Sequence, residues 1–219
     1  MHNVTVAFAA LLVMLLSYFF GCFNGSFMVS HFIIRDDVRK HGSGNAGLTN
    51  FYRTYGAKYA LLVIACDMGK TVAACLLGSF FFRCLGWDGT LGTLLAGLGC
   101  ELGHIFPVFY GFRGGKGILS GGTLVLLLNW RVAAVAWALF LLLWLTTRYV
   151  SLASITATCS APITVYFVYA HNWLYTGLCL AVAALVVWCH RENIQRLLHG
   201  TEKKFKWHVN PTEGKDPPQ

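Results

Sequence analysis

Long apolar runs, separated by short polar or glycine-containing segments, make up most of the chain. A helix needs about 20 mostly apolar residues to cross the hydrocarbon core of a bilayer. Applied to this pattern, that length predicts seven membrane-spanning candidates, at residues 4–34, 58–82, 90–109, 118–129, 132–147, 152–170 and 174–189. The pattern therefore predicts an all-α integral membrane protein with about seven transmembrane helices.

Two of these runs need further interpretation. The first contains a polar and glycine-containing break at residues 21–26. It has no basic segment and no small-residue cleavage site before that break, so it is interpreted as a helix and not as a signal peptide. Residues 118–129 are too few to cross a bilayer alone. They are predicted to form either a partial or re-entrant helix, or a helix whose ends extend into the flanking loops.

Composition supports a membrane protein with a single domain. Hydrophobic residues make up 56% of the 219 residues, charged residues make up 12%, and the mean hydropathy is +0.58, which excludes an ordinary soluble domain. We expect residues 1–210 to form one polytopic membrane domain and residues 211–219 to form a disordered tail. The eight cysteines are scattered singly without a C-x-x-C pair, so neither a metal site nor a disulfide framework is expected.

Lysine and arginine are unevenly distributed among the connecting segments. They gather in the first loop, in the third loop (Arg113 and Lys116), in the fifth loop (Arg148) and in the C-terminal segment. The other turns carry only Arg83 and Arg131. Because basic residues accumulate in cytoplasmic loops, we expect an outside N-terminus, a cytoplasmic C-terminus and a functional site at the cytoplasmic face. The net charge of +8 then reflects topology and attraction to anionic lipid, not nucleic-acid binding.

The segment that follows the third apolar run is rich in glycine and carries two cations. Residues 111–117, here called the glycine loop, contain Gly114, Gly115 and Gly117 around Lys116, with Arg113 just before them. Glycines allow backbone N–H groups to turn toward a ligand, and the cations add positive charge. The loop therefore predicts a phosphate or carboxylate site, the alternative being a flexible connection with cations that reach the interface.

The first loop, residues 35–56, is too polar for a simple connection. It offers Ser43, Asn45, Asn50 and Arg53. Hydroxyl, amide and guanidinium groups suit a phosphorylated polyol, because arginine can bind two phosphate oxygens while serine and asparagine bond to hydroxyls. The alternative is a helix N-terminus capped by Thr49 or Asn50, which is the interpretation favoured for Thr49.

Two short motifs in this region are rejected. Residues 42–47 match G-x-G-x-x-G, but no buried strand precedes them, as a dinucleotide site requires. His31 and Asp36 have the H-x-x-x-x-D spacing of one acyltransferase superfamily, yet the arginine-bearing glycine-rich block that accompanies that motif is missing. His31 is therefore interpreted as an interfacial histidine.

Ionisable residues also lie inside the apolar runs. Asp67 and Lys70 have i, i+3 spacing, and the cost of an isolated charge in a membrane favours a structural pair over a catalytic role. Glu101 and His104 repeat that spacing just before the glycine loop. They are predicted to pair with each other in the same way, although either could instead orient Lys116.

A polar block follows the last apolar run. In this C-terminal block, residues 190–205, His190 and Asn193 lie one helical turn apart and share a face. A histidine and an amide so placed could activate or position a hydroxyl nucleophile, or could cap the last helical turn. Gly200 is predicted to end the helix, and Glu202 is interpreted as structural.

Three blocks of the chain together resemble one known family. They are residues 41–53, 103–118 and 190–205, with the sequences HGSGNAGLTNFYR, GHIFPVFYGFRGGKGI and HRENIQRLLHGTEKKF. In content and order they are similar to the motifs of the bacterial membrane glycerol-3-phosphate acyltransferases of the PlsY type, and residues 148–154 resemble a further stretch. The resemblance implies transfer of a fatty acyl group from acyl phosphate to the sn-1 hydroxyl of glycerol 3-phosphate, giving lysophosphatidate and phosphate.

The resemblance also implies roles for individual residues. Catalytic roles fall on Ser43, Lys116, His190 and Asn193. Substrate-binding roles fall on Arg53, Gly114, Gly115, Gly117 and Ser154. The polar composition of the first loop adds Asn45 and Asn50 to the substrate-binding residues. The resemblance implies a structural role for Glu202, and the pairing of charges described above adds structural roles for Asp67 and Lys70. The proton of the attacking hydroxyl is expected to pass to His190 or to the donor's own phosphate.

The implied setting is the bacterial cytoplasmic (inner) membrane, with glycerol 3-phosphate, acyl phosphate and the lipid bilayer as partners and no cofactor. Two alternatives stay open from the residues alone. A transporter of a phosphorylated metabolite would also need basic loops, but inverted repeats and helices broken near the midplane would then be expected. An acyl-CoA-dependent acyltransferase differs only in its donor.

Overall fold

The computed structural model describes residues 2–206, and every regular element in that range is helical. The α-helices are α1 (His2–Cys22), α2 (Gly25–Met28), α3 (Leu48–Tyr55), α4 (Ala60–Cys84), α5 (Gly89–Ile105), α6 (Ile118–Leu128), α7 (Trp130–Thr147), α8 (Val150–Val168), α9 (Trp173–Cys189) and α10 (Arg191–Leu198). A π-helical segment, Val29–Ile34, continues α2, and short 3-10 turns form at Val38–Lys40 and Val108–Tyr110. The predicted all-α class is confirmed. The predicted tail, residues 211–219, lies outside the described residues.

The number of membrane-spanning helices is confirmed only coarsely. Within residues 2–206, five helical segments are long and apolar enough to cross a membrane, and α9 makes a sixth if it is counted with α10 across a bend of 59°. The remaining candidate, α6, has 11 residues. At 1.5 Å per residue it is about 16 Å long, roughly half of the hydrocarbon thickness.

The short helix α6 does not extend into its flanking loops, so that alternative is wrong. It begins at Ile118 and ends at Leu128. Asn129 then has extended backbone, with φ −165°, and its side chain accepts a hydrogen bond from the N–H of Arg131 to begin α7. Neither Gly117 before the helix nor Asn129 after it is helical, which leaves a partial helix.

The predicted break in the first apolar run is confirmed, and it joins three parts of the fold. Asn24 accepts a hydrogen bond from the N–H of Phe27 at 2.9 Å and donates to the carbonyl of Ala46 in the first loop at 2.9 Å. The N–H of Gly25 donates to the Asp67 carboxylate of α4 at 3.0 Å. The amide of Asn24 and the N–H of Gly25 therefore find protein partners, as polar groups at membrane depth need to do.

Helix α5 lies at the centre of the fold, packed against α1, α4, α6 and α9, and nearly all of its residues are buried. Small residues bring it close to α1. A Cβ on Gly103 would overlap the carbonyl of Tyr18, and a Cβ on Gly21 would overlap the carbonyl of Cys100. Close backbone approach of this kind is a common way to pack membrane helices.

A buried charged cluster joins α4 to α5. Lys70 Nζ lies 2.8 Å from Asp67 Oδ1, and it also donates to the carbonyls of Gly21 and Phe23, each at 3.0 Å. The predicted Asp67–Lys70 pair therefore forms. His104 of α5 completes the cluster, with Nδ1 2.7 Å from Lys70 Nζ.

The predicted pairing of Glu101 with His104 is wrong. His104 turns to the cluster on α4, whereas Glu101, which is 1% exposed, turns toward Gly117 at the start of α6. Neither carboxyl oxygen of Glu101 has a hydrogen-bond partner among residues 2–206. Although the two side chains share one side of α5, each reaches a different neighbouring helix.

Candidate active site

The glycine loop packs against the end of α5. The N–H of Gly114 donates to the carbonyl of Ile105, and the N–H of Gly115 donates to the carbonyl of His104, each at 3.1 Å. A Cβ on Gly115 would overlap the ring of His104. The prediction that the N–H groups of Gly114 and Gly115 face an anion is therefore wrong, because the last carbonyls of α5 need partners and take them.

The donors available to an anion lie one step later, at the start of α6. Gly117 occupies the N-cap position with φ +81°, and a Cβ there would overlap the carboxyl group of Glu101. Only glycine suits this left-handed and crowded position. The first N–H groups of α6 have no acceptor inside the helix, so they and the positive end of the helix could hold an anion beside Lys116.

A chain of hydrogen bonds connects the glycine loop to the C-terminal block. Lys116 Nζ donates to Oδ1 of Asn193, and Nδ2 of Asn193 donates to Oε1 of Glu202 at 2.7 Å. Ser151 Oγ donates to the same oxygen at 2.7 Å, while Nε of Arg196 donates to Oε2 at 2.7 Å. Because Glu202 accepts from Nδ2, the amide oxygen of Asn193 is directed at Lys116.

The charges in this chain are shaped by partial burial. Burial lowers the pKa of Lys116, and nearby Arg196 lowers it further, while Glu202 acts in the opposite direction. Burial alone would raise the pKa of Glu202, but the hydrogen bonds from Arg196, Ser151 and Asn193 outweigh it and hold that pKa below its usual range. The site therefore combines an ionised carboxylate with a poorly hydrated ammonium group, and the poor hydration of the ammonium group strengthens its attraction for an anion.

His190 lies one residue beyond α9 and is 3% exposed. Its Nδ1 lies 2.8 Å from the carbonyl of Val186. Since a carbonyl can only accept, Nδ1 carries the hydrogen, and Nε2 of the neutral ring keeps its lone pair. Burial lowers the pKa of His190 to about 4. The ring is therefore neutral near pH 7 and can accept a proton.

The first loop is organised from inside by Asn50. Its Oδ1 accepts from the N–H of Ser43 at 2.9 Å, and its Nδ2 donates to the carbonyls of Val38, His41 and Asn45 at 3.0–3.1 Å. Asn50 is buried and its amide is committed to the loop backbone. Its predicted role in substrate binding is therefore corrected to one of holding the loop.

The structure resolves two further expectations for this region of the chain, one on the cap of α3 and one on His31. The N-cap position of α3 is Gly47, so the alternative in which Thr49 or Asn50 caps the helix is wrong. His41, and not His31, pairs with Asp36, the Nε2 to Oδ2 distance being 2.8 Å. His31 is exposed and stacks on a phenylalanine ring, which agrees with its interpretation as an interfacial histidine.

Three separate segments meet at this site. Nδ2 of Asn45 lies 3.4 Å from the carbonyl of Gly114, which also accepts from the N–H of Ala46 at 3.3 Å, so the first loop touches the glycine loop. Arg53 donates to the carbonyl of Lys203 at 3.2 Å, so the first loop also touches the C-terminal block. Burial lowers the pKa of Arg53, and the nearby Glu202 carboxylate opposes that shift.

A family model described as "Glycerol-3-phosphate acyltransferase" matches residues 11–200. The chain belongs to this family. The glycerol-3-phosphate acyltransferase of Syntrophomonas wolfei subsp. wolfei is 39% identical over 197 residues, which are 90% of this chain and 96% of that protein. The enzyme of Finegoldia magna is 38% identical over 189 residues, which are 86% and 92% of the two chains.

Solved structures of the family agree. The chain is similar to the crystal structure of PlsY (YgiH), an integral membrane glycerol 3-phosphate acyltransferase, in its glycerol 3-phosphate form. The TM-score is 0.79 at 36% identity, over 90% of this chain and 96% of that one. The lysophosphatidic acid form of that protein gives a TM-score of 0.77 at 35% identity. The resemblance to PlsY-type acyltransferases is thereby confirmed, and with it a multi-pass membrane enzyme.

Two serines of α8 differ from what was predicted. Ser154, expected to bind substrate, is buried. Ser151, for which no role was predicted, contacts Glu202. Ser154 of α8 is 2% exposed and lies one turn from Ser151. It is Ser151 that bonds to Glu202. No sequence pattern distinguished these two serines, since both lie on the same side of α8.

Replacing Glu202 by alanine is expected to lower kcat by about 10- to 100-fold, the size of a lost charge-assisted hydrogen bond to a positioned group. The reason is that Asn193 then loses the acceptor that directs its oxygen at Lys116. Glu192→Ala is the matched control, because Glu192 lies on α10, is 68% exposed and contacts the same Arg196 at 3.9 Å. Equal kcat values for the two variants, measured as lysophosphatidate formed, would contradict this role of Glu202.

Proposed function

We propose that the chain transfers a fatty acyl group from acyl phosphate to the sn-1 hydroxyl of glycerol 3-phosphate, with lysophosphatidate and inorganic phosphate as products. The observation that carries the proposal is the chain of hydrogen bonds from Lys116 through Asn193 to Glu202. It places an ammonium group beside the N-terminus of α6, where two phosphate-bearing substrates can be held. Family membership supports the same activity.

The chemistry asks little more of the protein than positioning. Acyl phosphate is a mixed anhydride with a good leaving group, so the enzyme needs to hold two anions together and align the hydroxyl with the carbonyl carbon. We assign Ser43 and Arg53 to glycerol 3-phosphate, with Asn45 at the junction with the glycine loop. Lys116 and the first N–H groups of α6 stabilise charge on the donor's phosphate and on the tetrahedral oxyanion.

Two routes are open for the proton of the attacking hydroxyl. As its oxygen bonds to the carbonyl carbon and the bond to the phosphate oxygen breaks, the proton passes either to Nε2 of His190 or to the departing phosphate. The locked Nδ1 hydrogen of His190 suits the first route. The good leaving group suits the second.

The size of kcat in His190→Gln, measured between pH 6 and 8, separates the two routes. If His190 is the base, kcat falls about 10²- to 10⁴-fold. Because the pKa of His190 lies at about 4, His190 then imposes no loss on the wild-type protein between pH 6 and 8. If the donor's phosphate accepts the proton, His190→Gln keeps most of its kcat and has the same pH profile as the wild type.

For membrane placement we propose the finer arrangement, in which the chain crosses the bilayer seven times and the fourth crossing contains the half-length α6. The N-terminus then lies outside, and the site lies at the cytoplasmic face of the bacterial inner membrane. The basic residues support this, because those of the first loop, the glycine loop and the C-terminal block fall on one side. Residues 1–210 would form the single membrane domain.

One reaction series tests the proposed function. Purified protein receives glycerol 3-phosphate with acyl phosphate, acyl-CoA or acylated carrier protein, and lysophosphatidate is measured. We expect lysophosphatidate only in the reaction in which acyl phosphate is the donor. Product with acyl-CoA would favour the CoA-dependent alternative, and uptake of labelled glycerol 3-phosphate into proteoliposomes without any product would favour a transporter.

A further inference from the structure

Ser43 lies in a turn that cannot hold its own shape. Gly42 and Gly44 flank it with φ +59° and φ +70°, and the turn is closed by one hydrogen bond, from the N–H of Gly44 to the carbonyl of His41 at 3.0 Å. Two glycines in left-handed conformation give the turn little resistance to rearrangement. The position of the exposed Ser43 hydroxyl therefore depends on contacts made from outside the turn.

One such contact joins Asp36, outside the turn, to the ring of His41, which is the first residue of the turn. Its Nε2 lies 2.8 Å from Oδ2 of Asp36, while Oδ1 of Asp36 accepts from the N–H of Asp37 at 2.7 Å. The N–H of Asp36 in turn donates to the carbonyl of Ser30, inside the π-helical segment that ends the first span, at 2.9 Å. Through this pair, the turn that carries Ser43 is attached to the end of a membrane helix.

The Asp36 carboxylate is well suited to this contact. Burial alone would raise the pKa of Asp36, but the hydrogen bonds from His41 and from the N–H of Asp37 lower it below its usual range. Asp36 is therefore an ionised acceptor near pH 7, and because a carboxylate can only accept, Nε2 of His41 carries the hydrogen of this bond. A bond to an ionised acceptor is stronger than one between neutral groups.

We infer that the Asp36–His41 pair is a positioning device for Ser43 and so strengthens the binding of glycerol 3-phosphate. The inference rests on the proposed function, in which Ser43 contacts that substrate. Asn50 holds the turn from its buried side, and the Asp36–His41 pair holds it from the other. The pair acts through the turn and has no role in the chemical step.

Two substitutions at His41 distinguish the contribution of its ring from the contribution of its hydrogen bond to Asp36. His41→Phe keeps the ring that faces Tyr55, at 6.1 Å between centroids, but cannot donate to Asp36. His41→Gln loses the ring but keeps a donor. We expect His41→Phe to raise the KM for glycerol 3-phosphate about five- to tenfold with kcat within about twofold of the wild type. We expect His41→Gln to restore most of that loss.

Substitutions at Asp36, and at His31 as a control histidine, complete the experiment. Asp36→Ala is expected to raise KM as His41→Phe does, and the double variant no further, because the two side chains act as one unit. His31→Ala is the control. His31 is an exposed histidine that stacks on Phe27, with 5.3 Å between the ring centroids. Its KM should equal that of the wild type. Thermal unfolding of each variant shows whether it is folded.

Several outcomes would overturn the inference. They are an unchanged KM in folded His41→Phe, additive losses in the double variant, or a fall in kcat with KM unchanged. A lower unfolding temperature with an unchanged KM would leave only a structural role, which also contradicts it. These results differ from a failure of the proposed function, in which the wild-type protein forms no lysophosphatidate from any donor.

Discussion

Lys116→Ala is expected to lower kcat for lysophosphatidate formation by about 10²- to 10³-fold, the loss typical of removing one donor that stabilises a developing oxyanion. In the structure, Lys116 is the cation that Asn193 holds in place, next to the first N–H groups of α6, which have no acceptor inside the helix. The effect should fall mainly on kcat, because charge on the carbonyl oxygen and on the departing phosphate grows toward the transition state.

Arg113 provides a matched control for Lys116. It lies three residues earlier in the same loop, it is exposed, and it carries the same charge. Arg113→Ala should keep kcat within about twofold of the wild type, because a fully hydrated surface cation adds little. Near-normal turnover in folded Lys116→Ala, or equal losses in the two variants, would show that the site lies elsewhere.

Asp67→Asn is expected to destabilise the fold by about 3–5 kcal/mol, because it leaves the buried Lys70 ammonium without its counter-charge. The side chains of both residues are almost fully buried, at 2% and 4% exposure, and His104 adds a third polar group to the cluster. The double variant Asp67→Asn with Lys70→Gln removes both charges and should recover part of that loss.

The readouts for this cluster are the unfolding temperature and yield in detergent, together with kcat of the fraction that remains folded. A structural pair predicts poor yield and early unfolding for Asp67→Asn, a milder loss for the double variant, and kcat near that of the wild type in surviving protein. A well-folded double variant without turnover would instead place Asp67 and Lys70 in the chemical step.

Helix positions could be predicted from the apolar pattern because lipid imposes a length on each span. The second apolar run predicts a helix at residues 58–82, and the corresponding helix α4 is observed at Ala60–Cys84. The Asp67–Lys70 pair was also predictable, since i, i+3 spacing on one helix brings the two side chains together and an unpaired charge in lipid is costly. These inferences depend on local geometry and on the solvent alone.

The partners of single polar groups could not be predicted in the same way. The spacing of Glu101 and His104 gives a shared side of α5, but the packing of α4 and α6 decides which neighbour each side chain meets. Likewise, glycine content indicates a backbone free to turn, while the direction in which Gly114 and Gly115 donate is decided by the end of α5. Long-range contacts of this kind leave no pattern in the sequence.

The most direct measurement of the central claim follows both products of one reaction. Purified protein in lipid receives glycerol 3-phosphate and acyl phosphate, and lysophosphatidate and inorganic phosphate are quantified over time. The proposed transfer predicts equal amounts of the two products at every time point, and no release of phosphate above background when glycerol 3-phosphate is left out. Phosphate released without lysophosphatidate, or no product at all, would contradict it.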